Sequence, residues 1–240
     1  MKILITGHLG FIGKSLKLRL ESKHTVVGID IKDEQDILTS DLPDCDLVIH
    51  LAAMSGVRQS IKDPENYWRV NVDGSRRLFE HYKNTRILAA SSSSQYEPHL
   101  NPYAASKHIM ECIPHSNICF MRFHTVYGPN SRENMFFHKA CNGTLEYVTS
   151  HSRDFIHIDD LCDAIEILLN SNYTGPIDIG TGVSVKIQDL FPNLPLHAVT
   201  PFERQSTQAD IVQIASMGFN AKYKITDFLL RTDYPDKTLQ

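Results

Sequence analysis

MKILITGHLGFIG, residues 1–13, decides the fold. An apolar run from Ile3 to Ile5 stops at Thr6 and gives way to Gly7, Gly10 and Gly13, spaced GxxGxxG. An amphipathic segment follows, with Phe11, Ile12, Leu16, Leu18 and Leu20 as its apolar positions. The order predicts strand, glycine turn, helix. Such a turn lets backbone approach a pyrophosphate at a helix N-terminus, where unpaired N–H groups and the helix dipole favour negative charge. Three glycines alone are weak, because tight turns also use glycine without any ligand. Here a second strand-like run, Thr25 to Ile29, ends at Asp30. An acid at the end of the second strand, about 20 residues after the glycines, suits the hydroxyls of an adenosine ribose. A carboxylate there also repels a 2′-phosphate, and Lys32 is the only base close by, so the pattern predicts NAD rather than NADP. The plainer reading is that Asp30 only starts a loop.

Working outward, strand signals alternate with helical ones: strands at 2–6, 25–29, 46–51, 86–91 and 117–122, helices at 11–22, 64–82 and 103–112. A late strand at Ile156–His157, a helix over Asp160–Leu169 and a strand at Ile177–Ile179 complete the series. The stretch DLVIHLAA, 46–53, is nearly all apolar, as expected of a strand buried on both faces. Alternation of this kind predicts an α/β fold, a doubly wound parallel sheet with right-handed crossovers. After Gly128-Pro129 the pattern loosens. Residues 130–152 and 183–240 read as a small substrate-binding lobe, while 1–129 and 153–182 form the dinucleotide-binding part.

Composition narrows the setting. The chain has 240 residues, 42% hydrophobic and 22% charged, as in a soluble globular protein. A net charge of -4 gives no basic field for nucleic acid. No apolar run reaches the roughly 18 residues needed to span a bilayer. The N-terminus leads straight into a strand, without a signal or transit pattern. Five cysteines, an odd count with no CxxC pair, predict reduced thiols in the cytoplasm and no metal site. The 12 histidines are scattered and read as surface or core residues.

Tyr103-Ala104-Ala105-Ser106-Lys107 puts a phenol and an ammonium at i and i+4, on one helix face. A lysine beside a tyrosine favours phenolate, giving a base for a sugar hydroxyl. In isolation YxxxK is usually a surface pair; downstream of a dinucleotide fold it points to catalysis. The run Ser91 to Ser94, before Gln95-Tyr96, offers hydroxyls at the end of the fourth strand. They could bind the reacting alcohol or cap a helix, and several serines fit either role.

The motifs GHLGFIG, VIHLAA, NVDG (71–74), SSSSQY (91–96), YAASK, RFHTVYGP (122–129), RDFIHIDD (153–160) and IDIGTG (177–182) together resemble an extended short-chain dehydrogenase/reductase of the nucleotide-sugar epimerase/dehydratase family. The resemblance implies a Rossmann-type sheet with a small C-terminal lobe, NAD as cofactor, and Ser92, Tyr103 and Lys107 as catalytic residues. It implies that Gly7, Gly10, Phe11, Ile12, Gly13, Asp30, Asp36, Ile37, Leu51, Ala52, Ala53, Asn71, Tyr103 and Lys107 hold the cofactor. It places Ser92, Ser93, Tyr103, Thr125, Arg132, Arg153 and Arg204 at the substrate, with Glu203 as the alternative to Arg204.

Family dehydratases carry an Asp-Glu pair after the catalytic hydroxyl, and the decarboxylases a glutamate at the second position. Here the pair is Ser93-Ser94, which leaves elimination without its acid and base. The family's reductases mostly use NADPH, which Asp30 disfavours. Epimerisation at carbon 4 remains. Residues 55–74 and 122–134 resemble UDP-glucuronate 4-epimerase signatures, so a UDP-hexuronate is the expected substrate partner. Neutral UDP-glucose/galactose, a 4-keto sugar reductase and a non-enzymatic NAD sensor are the alternatives. Six residues separate Tyr96 from Tyr103, where the family has a longer loop, and Glu97 stands where it has glycine. The resemblance also implies a homodimer through the helices at 64–82 and 103–112.

Overall fold

The computed structural model describes residues 1–229. In chain order it runs β1 (Lys2–Thr6), α1 (Phe11–Leu20), β2 (Thr25–Ile29), β3 (Leu47–His50), α2 (Val57–Lys62), α3 (Pro64–Trp68), α4 (Ser75–His81), β4 (Arg86–Ser92), α5 (Pro102–Glu111) and β5 (Ile118–Phe123). It continues with β6 (Thr125–Tyr127), α6 (Phe136–Cys141), β7 (Val148–Thr149), β8 (Ser152–His157), α7 (Ile158–Leu169), β9 (Gly175–Ile179) and β10 (Ser184–Lys186). Short elements α8 (Ile187–Leu190), β11 (Leu196–His197), α9 (Val212–Ser216) and α10 (Ile225–Leu229) follow. Packing divides the chain into two compact units: Met1–Arg122 with Leu168–Ile177, and Phe123–Ile167 with Asp178 onward. The strand and helix at 153–167, assigned from the sequence to the dinucleotide-binding part, pack with the second unit. Residues 230–240 of the predicted lobe lie outside the described residues.

The first unit is built on a six-stranded sheet in the order β2-β1-β3-β4-β5-β9. β1 pairs in parallel with both β2 and β3, and β3 in parallel with β4. The chain leaves β1 for one side of the sheet and returns to the other, so the order reverses between β1 and β3. In doubly wound sheets, ligands bind outside the carboxyl ends of the strands at that reversal. β3 is buried at all four positions, which accounts for its unbroken apolar run. Leu4, Val48, Ile87, Leu78, Phe79 and Phe120 are among the side chains packed between sheet and helices.

The helix predicted over 64–82 is three pieces. α3 starts at Pro64 with Asp63 accepting from the Asn66 N–H, a wider π turn spans Arg69–Gly74, and α4 resumes at Ser75. The π turn sits where Asn71 is fixed from outside the helix: its amide bonds both backbone groups of Met54. An inserted residue of this kind is a frequent mark of functional positions, and apolar periodicity alone does not register it.

His50, the last residue of β3, is buried and neutral. Burial, aided by the Lys107 ammonium, pushes its imidazole down from the usual 6.5 to about 3. Between those values the unfolded chain holds a proton at this residue that the folded chain does not. The stability carried by neutral His50 is therefore complete above pH 6.5 and is lost as pH falls. At about 1.4 kcal/mol per pH unit, acidification to pH 5 costs about 2 kcal/mol through His50. Urea unfolding at pH 7 and pH 5 measures this loss. It is expected to shrink by that amount in His50→Gln, and an identical loss in the variant contradicts the assignment.

The second unit contains a three-stranded sheet, β10-β8-β6, and a two-stranded one, β11-β7. Tyr127, Phe137, Phe155 and Ile225 form its core. Fully buried Asp154 organises the loops: it accepts from the N–H groups of Thr181, Gly182 and Ala209 and from the Thr181 hydroxyl. A buried carboxylate whose lone pairs are taken up by several donors fixes the backbone around it. The loosely patterned sequence here thus folds around a polar centre that period-based reading does not detect.

Candidate active site

The glycine turn follows β1. Gly7 has φ +74°, the left-handed region, and a Cβ there would lie 2.8 Å from the Ala52 nitrogen, just beyond β3. At Gly13 a Cβ would meet the Gly7 carbonyl oxygen at 2.1 Å. Both glycines are required by close backbone approach. Gly10 begins α1; no side chain caps the helix and its first turn carries no acid, so its N–H groups and dipole are presented to an anion. Phe11 and Ile12 are its first half-buried residues. A pyrophosphate fits this cradle.

At the end of β2, Asp30 is buried. One carboxylate oxygen accepts from the Leu9 N–H at 2.9 Å and the other from the Lys32 N–H at 3.0 Å. Lys32 Nζ donates to the Leu9 carbonyl at 3.1 Å. The carboxylate is thus fixed beside the glycine turn, with lone pairs left for two ribose hydroxyls. Hydrogen bonds to a charged group contribute about 1.5–3 kcal/mol, so Asp30→Asn is expected to weaken NAD binding roughly 10-fold and to narrow the preference over NADP. Calorimetric titration with both nucleotides measures this, and an unchanged NAD/NADP ratio contradicts the role.

Leu51, Ala52 and Ala53 follow β3 and are half-buried. The Leu51 N–H donates to the Thr6 carbonyl, and the Ala52 N–H to the Thr6 hydroxyl. Asp36 accepts from the Leu38 N–H within its own loop. Ile37 is buried in the core of the unit. Asn71 is fully buried and donates to Ser106 Oγ at 2.9 Å in addition to its bonds to Met54.

α5 carries the Tyr103–Lys107 pair. Asn101 caps it, its side chain accepting from the Ala104 N–H at 2.8 Å, and Pro102 takes the first helical position. The sequence NPY thereby sets Tyr103 in the opening turn. Tyr103 is half-buried, its ring edge-on to Tyr67 at 6.2 Å. Lys107, one turn on, is buried and donates to the Ala90 carbonyl at 2.7 Å, leaving two N–H groups for other partners. Burial lowers its ammonium from the usual 10.5 to about 8, with Glu111 opposing part of the shift.

Ser92 is buried, and its Oγ accepts from the Ser94 N–H at the start of a tight turn over Ser93–Tyr96. The capping role is therefore present, and the hydroxyl proton remains to be donated. Ser93 is buried beside it. Ser91 donates to Glu111, which binds Arg122 through both carboxylate oxygens, and Arg122 donates to the Tyr96 hydroxyl at 2.9 Å. Sequence reading gave no role to Glu111. Its spacing, i+4 from Lys107 and i+8 from Tyr103, was the available signal.

The remaining predicted residues belong to the second unit. Thr125 opens β6, opposite Phe155. Arg132 is exposed. Arg153, Glu203 and Arg204 lie together: Arg153 donates to the Arg204 carbonyl at 2.9 Å and lies 3.5 Å from the Glu203 carboxylate. Burial, with the neighbouring Arg204 charge, lowers the Arg153 guanidinium, and Glu203 opposes that shift. Among the described residues, no three His, Cys, Asp or Glu side chains gather as a metal site, and no helix is long and apolar enough to cross a membrane.

A glycine cradle at the sheet reversal, a fixed acid after β2 and a Tyr–Lys pair on one helix face make a candidate site with the groups that dinucleotide-dependent chemistry on an alcohol or ketone requires. The comparisons agree. The model of the NAD dependent epimerase/dehydratase family matches residues 3–180. The "Probable UDP-glucuronate 4-epimerase" of Rhizobium meliloti (strain 1021) is 31% identical over 69% of this chain and 67% of its own. The "Uncharacterized UDP-glucose epimerase YtcB" of Bacillus subtilis (strain 168) is 31% identical over 70% and 72%. The crystal structure of the UDP-glucuronic acid 4-epimerase from Bacillus cereus, in complex with UDP-glucuronic acid and NAD, gives a TM-score of 0.83 at 28% identity, covering 95% of this chain and 96% of that one. This chain belongs to the NAD dependent epimerase/dehydratase family.

Proposed function

We propose that this protein is an NAD-dependent nucleotide-sugar 4-epimerase that inverts carbon 4 of a UDP-hexuronate, interconverting UDP-glucuronate and UDP-galacturonate. The observation that carries the reading is Tyr103 and Lys107 on one face of α5, which packs against the turn that Ser92, Ser93 and Ser94 open. The two positions after Ser92 are Ser93 and Ser94, which offer no acid/base pair for elimination.

NAD fits the cradle of Gly7, Gly10 and Gly13 with Asp30 at its ribose, and when bound it supplies the acceptor and donor of hydride at carbon 4. Tyr103 takes the proton of the 4-hydroxyl and returns it after the ketone has turned over. Lys107, held by the Ala90 carbonyl, favours the phenolate and binds the nicotinamide ribose. Ser92 donates to the reacting oxygen. Ser93, Thr125 and Arg132 serve the sugar carboxylate, and Arg153 with Arg204 the diphosphate; arginine suits both anions. On this reading residues 1–122 serve NAD, and the second unit, which carries Thr125, Arg132, Arg153 and Arg204, serves the nucleotide sugar. The protein acts in the cytoplasm as a homodimer through α3, α4 and α5, where Trp68 is exposed.

The test is incubation of the NAD-loaded protein with UDP-glucuronate, UDP-galacturonate, UDP-glucose and UDP-galactose, with products separated by chromatography. Interconversion of the two uronates without net NADH change is expected. Turnover of the neutral pair alone moves the assignment to UDP-glucose and UDP-galactose. Stoichiometric NADH or NADPH consumption identifies a reductase, and four unchanged substrates overturn the reading.

A further inference from the structure

His50 lies at the centre of a buried hydrogen-bond chain that the reaction itself does not use. Its Nδ1 is 2.7 Å from the Thr6 hydroxyl and its Nε2 is 2.9 Å from the Ser75 hydroxyl. The other partners fix the direction of each bond. Thr6 Oγ1 already accepts from the Ala52 N–H, so its own proton is available to Nδ1. Ser75 Oγ donates to the Asn71 carbonyl at 2.6 Å, so it receives the proton on Nε2. Asn71 Nδ2 donates to Ser106 Oγ, and Ser106 Oγ donates to the carbonyl of Tyr103 at 2.8 Å. The chain runs from the last residue of β1, which enters the glycine turn, through the π turn to the backbone of Tyr103.

We propose that His50 is a positioning residue for the reaction: a neutral imidazole, protonated on Nε2 and accepting at Nδ1, that ties the glycine turn to the opening turn of α5 and so sets Tyr103 against the bound nicotinamide. The inference rests on the reading of Tyr103 as the base. Only this tautomer satisfies both hydroxyls. A second proton, on Nδ1, would meet the Thr6 hydroxyl and leave the Thr6 proton without its acceptor. It would also place a buried positive charge within the field of the Lys107 ammonium on α5. The other faces offered to the ring are Thr6 from β1, and Ser75 and the edge of Phe79 from α4. A reacting group displaced by about 1 Å loses on the order of 100-fold in rate, so a device that fixes two backbone segments over this span bears on turnover.

The test uses the NAD-loaded full chain labelled with 15N-histidine, the His50 signals being those lost in His50→Gln. Nε2 is expected to be protonated and Nδ1 bare, unchanged from pH 8 to pH 5. On the uronate or hexose that the wild type turns over, His50→Gln is expected to lower kcat about 100-fold while KM and the NAD content stay near wild type. Thr6→Val, which keeps the side-chain shape, is expected to lower kcat in the same way, so the kinetic arm stands even where His50→Gln does not fold. A proton on Nδ1, titration near 6.5, or wild-type kcat in folded Thr6→Val overturns the proposal. A wild type that turns over no sugar nucleotide overturns the function instead, and the spectrum still reads the chain of bonds.

Discussion

Tyr103→Phe is expected to lower kcat roughly a thousandfold, within the range that a positioned general base contributes. The variant removes one oxygen from a half-buried ring whose edge-on packing against Tyr67 remains available. α5 keeps its Asn101 cap, and Lys107 keeps its bond to the Ala90 carbonyl. Folding and NAD content are therefore expected to be unaffected, and thermal melts with nucleotide analysis check this. A loss confined to KM would make the phenol a binding group only. Wild-type turnover would remove Tyr103 from the chemistry.

Gly13→Ala is expected to weaken NAD binding about 100-fold. The added Cβ would lie 2.1 Å from the Gly7 oxygen and 2.7 Å from the His8 Cα, both backbone atoms that yield only if the turn opens. Overpacking of this kind costs about 1–3 kcal/mol, and here the distortion falls on the groups that face the pyrophosphate. Gly143→Ala is the control. That glycine also has a positive φ, +65°, but a Cβ there meets nothing within 4 Å, so the substitution strains the backbone without touching the cradle. Calorimetric titration with NAD is expected to separate the two variants, and equal affinities would contradict the glycine-turn assignment.

The parts of this chain legible in its sequence are those whose function and fold impose the same local pattern. The glycine turn needs small residues where backbones meet, β2 is followed by an acid fixed beside that turn, and NPYAASK carries its own helix start beside its Tyr–Lys pair. The α/β alternation follows from burying strands on both faces. Less visible were features made by contacts distant in sequence. The π turn inside 64–82 depends on Asn71 reaching Met54. His50 looks like the polar end of an apolar strand until Thr6 and Ser75 close around it. Glu111 shows its role only once Arg122 and Ser91 are seen to bind it. In the second unit, short elements are arranged around Asp154 and a small aromatic core rather than by long periodic segments, so the lobe read only as loosely patterned.

The central claim is that Tyr103 works with an internally recycled hydride to invert carbon 4. Turnover of UDP-glucuronate bearing deuterium at carbon 4 tests it most directly. The account predicts UDP-galacturonate with the deuterium still at carbon 4 and no net NADH formed, activity that Tyr103→Phe loses. Deuterium washed out to solvent, or inversion that persists in Tyr103→Phe, would contradict it.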